Sequence, residues 1–343
     1  MPKLIIQIPC FNEEQSLPAT LADLPRSVPG FDAVETLVID DGSMDRTSEV
    51  AREAGATYLL RFPVHLGLAQ AFSAGLDAAL KLGADVIVNT DADGQYRGSD
   101  VARLVQPIVR GEAEMVIGDR APARLKHFSP PKRLLQWLGS WVVRQLSGTS
   151  VPDATSGFRA FSRRAALRLN VLTKFTYTHE TIIQAGKKHI ALAHVPIATN
   201  PDTRPSRLFG SITAYIRRSV PTLFRIYALY EPFKVFWTLG AALIVLGGVI
   251  GLRFLVHYLT GGGSGHIQSL ILSAVLLIIG FQMAMFGMVA DLIGSTRSLL
   301  EDTLFRVREI ELAIGGDPEV VRIAGDPDPT PIAARAFGPR GSR

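Results

Sequence analysis

Residues 86–96 read VIVNTDADGQY. Val86, Ile87 and Val88 are apolar and β-branched, so they favour a strand. The run then ends in two aspartates, Asp91 and Asp93, separated by one alanine and followed by Gly94. Side chains two apart on an extended chain project to the same side, so both carboxylates aim together if strand geometry persists into the turn. Two explanations stay open on these residues alone. Asp and Gly are ordinary turn residues, and a solvated turn would place them here. A hard divalent cation taking oxygen ligands would also gather them.

Working outward, strand and helix patterns alternate. KLIIQI, VETLVID, ATYLLRF, DVIVNT and AEMVIG have strand character. NEEQSLPATLADL, SMDRTSEVAREAGA, LGLAQAFSAGLDAALKLGA and a segment near 99–109 have helical character between them. Such alternation predicts an α/β domain with a mainly parallel sheet and helices on both faces. Ligands of these sheets bind beyond the carboxyl ends of the strands. The loops at those ends are PCFNEE, DDGS and DADGQ. A dinucleotide fold would carry a glycine fingerprint after the first strand; none is there, which removes most support for NAD or FAD. Carboxylates and amides on one rim suit a nucleotide's base and ribose, with a metal to neutralise its phosphates.

The 343 residues are 47% hydrophobic, and the excess lies late in the chain. Residues 233–252 hold one charge, Lys234, at their start, and residues 267–290 hold none. About 20 residues of helix span a ~30 Å hydrocarbon core, so a transmembrane hairpin is expected at about 233–258 and 267–292. The linker LTGGGSGHIQ is almost uncharged. Arg204, Arg207, Arg217, Arg218, Arg225 and Lys234 precede the hairpin, and Arg297, Arg306 and Arg308 follow it. The positive-inside rule then places both termini, and the sheet domain with them, in the cytoplasm of a multi-pass protein of the inner (plasma) membrane. LIIQIPC is too short for a signal peptide. The single cysteine, Cys10, allows no internal disulfide and is expected to be a small buried residue, not a nucleophile. The net charge of +5 gathers near the hairpin, where anionic headgroups explain it better than nucleic acid does. The expected organisation is a sheet domain over 1–215, a juxtamembrane amphipathic segment over 216–232, the hairpin over 233–293, an amphipathic helix over 294–314 and a disordered tail over 315–343. The 294–314 helix would lie on the membrane or pair with a second copy. Trp137 and Trp141, at i,i+4 spacing, suit core packing or a membrane-facing helix.

In order along the chain, IPCFNEE, VIDDGSMDRT, DADGQY and DATSGFRAFSR resemble the family 2 glycosyltransferases with a GT-A (Rossmann-like) fold. VPIATNPDTRPSRLF and the two-span tail resemble its polyprenyl-phosphate branch, the dolichol-phosphate mannose synthase and GtrB-like enzymes. The resemblance covers about residues 3–300. It implies a metal-dependent hexosyltransferase that moves a sugar from a UDP- or GDP-sugar to a polyprenyl phosphate with inversion. It implies that Pro9, Asn12 and Glu13 line the base and ribose pocket, with Asp40 and Asp41 contacting base or ribose. Asp91 would face the nucleotide and, with Asp93 and Gln95, hold Mg2+ or Mn2+ against the diphosphate. Asp153 matches a family aspartate at the reacting centre. Arg159, Arg204 and Arg207, with Ser156, would take the acceptor phosphate, since arginine matches phosphate bidentately. TRPSRLF departs from the family's glycine- and lysine-containing run, and His65 stands where relatives often carry asparagine. The alternatives are transfer to a hydroxyl of a membrane glycolipid, or a catalytically silent partner that binds nucleotide sugar.

Overall fold

The computed structural model describes residues 2–120, 141, 143–145, 147–171, 177–200, 230–260, 267–314 and 320–323. The chain divides into two compact units, 1–215 with 304–343, and 216–303.

The first unit is built on β1 (Lys3–Cys10), β2 (Ala33–Asp40), β3 (Tyr58–Arg61), β4 (Val86–Asn89), β5 (Met115–Asp119), β6 (Arg159–Ser162), β7 (Leu192–Pro196) and β8 (Val321–Arg322). Its helices are α1 (Leu17–Asp23), α2 (Thr47–Glu53), α3 (Leu68–Lys81), α4 (Val101–Val109), α5 (Arg163–Arg168) and α6 (Thr178–Lys187). The strands form one sheet in the order β7-β5-β6-β4-β1-β2-β3-β8. β1 runs parallel to both β2 and β4, and β3 is parallel to β2. Leu4, Ile5, Ile6 and Ile8 of β1 are fully buried. A strand covered on both faces reads as a near-continuous apolar run, and Leu4 to Ile8 does so with one interruption, the buried Gln7. α3 buries Ala69, Phe72, Leu76 and Ala79 at helical spacing. Gly75 lets this helix come close to β1, because a Cβ there would lie 2.5 Å from the Gln7 amide oxygen.

The sheet is mixed rather than wholly parallel. β6 runs antiparallel to β4 and β5, with Asn89 opposite Arg159. Within the stretch 315–343, expected to be a disordered tail, residues 321 and 322 form β8. It pairs antiparallel with β3, and Ile323 joins the core at 8% exposure. The tail beyond 323 and most of the juxtamembrane segment, 216–229, lie outside the described residues.

The second unit contains α7 (Pro232–Leu259) and most of α8 (Ile267–Ile314). Both helices are long and apolar enough to cross a membrane, and little of either apolar stretch is buried. The 294–314 segment is not a separate helix: α8 runs through it without interruption. Within the hairpin, small residues let the backbones meet. Ser273 donates to the Gly247 carbonyl at 2.7 Å. A Cβ on Gly280 would lie 2.7 Å from Ile244 Cγ1 and 2.9 Å from the Gly240 carbonyl oxygen. Gly280→Leu is therefore expected to force the helices apart at a cost of about 1–3 kcal/mol or more. A Cβ on Gly248 meets nothing within 4 Å, so Gly248→Leu is the silent control. Thermal melting of the two purified variants checks this; equal melting points would contradict the packing.

Candidate active site

The parallel strands deliver their carboxyl ends to one rim. Cys10 and Asp40 stand opposite each other at the ends of β1 and β2. β4 brings Asn89 beside Gln7. β5 points the same way as β4, since both are antiparallel to β6, and it ends at Asp119 and Arg120.

The β1 and β2 loops are stitched together. Asn12, at a left-handed φ of 55° that asparagine tolerates, accepts from the Met44 amide at 2.9 Å and donates its own amide to Ser43 Oγ at 3.0 Å. The Glu13 amide donates to Thr47 Oγ1 at 2.8 Å, and its carboxylate accepts from Ser16. Pro9 is buried at the end of β1. Cys10 is buried beside it, and burial pushes its thiol well above the usual range, which makes it unreactive.

Asp40 and Asp41, expected to contact base or ribose, are both buried and bonded within the protein. Asp40 is fully buried and accepts from the Ser43 amide at 2.8 Å and from the Ser48 hydroxyl. Asp41 accepts from the Leu66 and Gly67 amides at 2.7 and 2.9 Å and pairs with His65 Nδ1 at 2.8 Å. Each carboxylate thus satisfies donors of the turn beside it: one amide and one hydroxyl at Asp40, two amides at Asp41. His65 in turn stacks on Phe11, with ring centroids 3.9 Å apart.

Asp91, Asp93 and Gln95 follow β4, all half-buried. The loop is held at Ala92 by Thr20 Oγ1 (3.0 Å) and at Gly94 by Asn200 Nδ2 (2.9 Å), and the Asn200 amide donates to the Gln95 carbonyl at 2.9 Å. Asp93 accepts from the Gln95 amide at 3.0 Å. Burial, and then the neighbouring Asp93 charge, push the Asp91 carboxyl up to about 7. The Asp91 oxygens face Gly157, where a Cβ would lie 2.8 and 2.9 Å from them. The charged form of Asp91, disfavoured by burial and by the neighbouring carboxylate, is one that a divalent cation would relieve. Among the described residues no three His, Cys, Asp or Glu side chains converge on one point. The donor set thus fits a cation held by one or two carboxylates, with water and substrate phosphate completing the shell, which is the usual habit of Mg2+.

DATSGFR lies against this loop because β6 runs back along β4. The residues just before β6 therefore meet those just after β4. Gln7 Nε2 donates to Asn89 Oδ1 at 2.8 Å, while Asn89 Nδ2 donates to the Gly157 carbonyl and to Tyr177 Oη, both at 2.9 Å. The Gly157 amide donates to Tyr96 Oη at 3.0 Å. Asp153 is 1% exposed and forms a two-pronged pair with Arg120, Nε to Oδ2 at 2.7 Å and Nη2 to Oδ1 at 3.1 Å. Thr155 accepts from Arg120 at 2.7 Å and donates to Asp153 at 2.9 Å. Burial acts to raise the Asp153 carboxyl, but the Arg120 charge and these hydrogen bonds outweigh it and leave it below the usual range.

Arg159 and Ser156, expected at the acceptor phosphate, are both fully buried. Arg159 is fully buried and donates to the carbonyls of Ser156 (2.7 Å), Thr178 (2.7 Å) and Ala154 (3.0 Å) and to Thr181 Oγ1 (2.6 Å). Its guanidinium is the strut under the Asp153 loop. Ser156 is also fully buried, and its hydroxyl has no hydrogen-bond partner among the described residues. Arg204, Arg207 and Trp137 lie outside the described residues. Arg120 was not singled out in the sequence. Its signal was its position: it directly follows AEMVIGD, at the carboxyl end of a strand of the parallel set.

His179, on α6, adds a pH dependence. Burial, and then the Arg159 charge, push its imidazole down to about 4, with Asp153 opposing. The unfolded histidine, near 6.5, takes up its proton first, so stability contributed by the neutral ring is lost as pH falls from about 6.5 towards 4. Asp91 works in the opposite sense over much of that range, so the difference between variants is the test. His179→Gln is expected to melt closer to the wild type at pH 5 than at pH 7.5; an unchanged difference would contradict the burial argument.

The model of glycosyl transferase family 2 matches residues 5–169. The chain is 30% identical over 216 residues to UDP-N-acetylglucosamine–dolichyl-phosphate N-acetylglucosaminyltransferase of Methanococcus voltae, covering 56% of this chain and 83% of that protein. It is 30% identical over 221 residues to polyprenol monophosphomannose synthase of Mycolicibacterium smegmatis, covering 61% and 82%. Among solved structures, glucosyl-3-phosphoglycerate synthase from Mycobacterium tuberculosis, crystallised with Mn2+ and UDP, superposes with a TM-score of 0.49 at 21% identity, over 65% of this chain and 80% of that one.

Proposed function

The chain belongs to glycosyl transferase family 2, and from that premise we propose that it transfers a sugar from a UDP- or GDP-sugar to a polyprenyl phosphate of undecaprenyl or dolichyl type. Related enzymes named for transfer to dolichyl phosphate and for polyprenol monophosphomannose synthesis support this acceptor class. The observation that carries the reading is the Arg120–Asp153 pair. A carboxylate held ionised by a bidentate arginine is a poor general base, and an acceptor phosphate that arrives anionic needs little or no deprotonation. A hydroxyl acceptor would need a base, and Asp153 is badly suited to be one.

In the proposed reaction a phosphate oxygen of the lipid attacks the anomeric carbon from the face opposite the leaving group. The new C–O bond forms as the bond to the nucleoside diphosphate breaks, and the diphosphate keeps the electron pair, so configuration inverts. Mg2+ or Mn2+, when bound at Asp91, Asp93 and Gln95, supplies charge compensation on the departing diphosphate. Asn12, Glu13 and Pro9 border the nucleotide side, with Asp40 and Asp41 setting the shape of its turns. Asp153 and Arg120 fix the geometry where sugar and acceptor meet. Arg204 and Arg207 follow four and seven residues after Asn200, which is tied to the metal loop; this supports their role as acceptor-phosphate ligands. The hairpin would hold this machinery at the bilayer, with the catalytic unit cytoplasmic, where the flanking arginines favour it.

Initial rates with polyprenyl phosphate and with the matching polyprenol test the reading, in wild type and in Arg207→Ala. The phosphate is expected to be required. The variant should lose about one to two orders of magnitude in acceptor use, from ~1.5–3 kcal/mol of charge-assisted bonding, with donor affinity nearly unchanged. Equal turnover of the polyprenol would favour the glycolipid-hydroxyl alternative.

A further inference from the structure

Beyond its uncharged run, α8 continues for about two dozen residues, 291–314, as one helix. One face of this stretch is engaged. Arg297 donates to Glu301 at 2.9 Å and to Tyr230 Oη at 3.2 Å. Arg308 donates to Asn170 Oδ1 at 2.8 Å and to the carbonyls of Leu167 and Leu169. Beside it run Ile293, Leu300, Val307 and Ile314, each seven residues after the last. They are 65%, 65%, 52% and 81% exposed. A contiguous apolar stripe of this kind is costly in water and marks an interaction surface.

The spacing says which kind. With these residues at position a of a heptad, Thr296, Thr303 and Ile310 fall at d. Leu299 and Arg306 fall at g, and Leu304 and Glu311 at e. In a parallel pair each g residue meets the e residue five positions on in the other helix. That sets Leu299 against the partner's Leu304, and Arg306 against the partner's Glu311, so apolar meets apolar and cation meets anion. Leu299 and Leu304 are exposed, and Glu311 stays about half exposed (46%) while bonded to Lys81. An anionic membrane surface fits worse. Residues 291–314 hold five acidic and three basic side chains, whereas helices that lie on such surfaces are rich in lysine and arginine.

We propose that this stripe is the seam of a parallel, two-fold association between two copies of this chain. Three heptads with threonine at two d positions pair weakly in free solution. Copies anchored in one bilayer by the hairpin would meet at a high effective concentration and in the same orientation, which favours parallel pairing.

The test uses the full-length protein in native membranes. The chain's one cysteine, Cys10, is buried and provides a silent background. Only a parallel two-fold seam brings residues 300 and 307, a heptad apart, each against its own copy. Mild oxidation of Val307→Cys is therefore expected to give a disulfide-linked dimer on a non-reducing gel, and Leu300→Cys likewise. Glu309→Cys, exposed on another face, is expected to remain monomeric. Adding Leu300→Glu to Val307→Cys should lower the dimer yield at least about fivefold. Monomer from both Val307→Cys and Leu300→Cys, or equal cross-linking from Glu309→Cys, would overturn the proposal. So would an environment-sensitive dye on Val307→Cys whose emission follows anionic lipid content instead of protein density.

Discussion

Asp93→Ala is expected to lower turnover by about two to three orders of magnitude, the range seen when one group that stabilises developing charge is removed. The carboxylate sits in the loop after β4, held by the Gln95 amide and by ties from Thr20 and Asn200. Its worth lies in the transition state, as negative charge gathers on the leaving diphosphate. Nucleotide affinity should fall much less, because in the proposed reading base and ribose are held by the loops after β1 and β2. Steady-state rates at saturating Mg2+ or Mn2+, beside calorimetric titration of the nucleotide, separate the two. Wild-type turnover with added metal would remove Asp93 from the cation site. Equal loss of binding and turnover would make it a ground-state contact only.

Arg120→Ala is expected to be the most destabilising single change at the site, by about 3–5 kcal/mol, because it leaves a buried carboxylate without its cation. Asp153 is 1% exposed and its pair with Arg120 is two-pronged. The folded carboxyl lies below its ordinary value, so its contribution is present above the unfolded value near 3.9 and is lost as pH falls through the folded one. Removing Arg120 abolishes that depression. The double variant Arg120→Ala/Asp153→Asn should recover part of the loss in stability, since the stranded charge is gone, but no activity. Arg120→Lys should hold stability better than activity, because a point charge cannot reproduce the fork. Melting of the three variants and their rates decide it. A double variant no more stable than Arg120→Ala would show that the pair does not govern this loop.

Most of the fold was legible because it rests on local pattern. Leu4, Ile5, Ile6 and Ile8 make KLIIQI predominantly apolar, since β1 is covered on both faces, and the helices between strands show their buried stripe. What escaped depended on contacts distant in sequence. β6 is four residues long, and only its pairing with β4 reveals that it runs backward. That reversal carries Gly157 to the Asp91 carboxylate. β8 hides in a Pro/Gly-rich tail, where composition alone argues for disorder, yet Ile323 finds a place in the core. α8 extends past its apolar run because no helix breaker stronger than Gly294 interrupts 291–314.

The site divides in the same way. Residues at strand ends, such as Asp91 and Asp93, could be placed from spacing alone. Roles within a motif could not. Arg159 reads as a cation in a signature but is the loop's buried strut, while Asp40 and Asp41 turn inward to cap amides. Arg120 carries no motif of its own, and its importance appears only when Asp153 folds onto it.

The most direct test of polyprenyl-phosphate glycosylation is incubation of membranes containing the protein with a panel of radiolabelled UDP- and GDP-sugars, followed by lipid extraction. One donor is expected to deliver label to the lipid phase. That label should depend on added polyprenyl phosphate, be absent with Asp93→Ala, and be released by mild acid, as a sugar phosphodiester is. Label in an acid-stable glycolipid, or none in lipid from any donor while polyprenyl phosphate is present, would contradict the account.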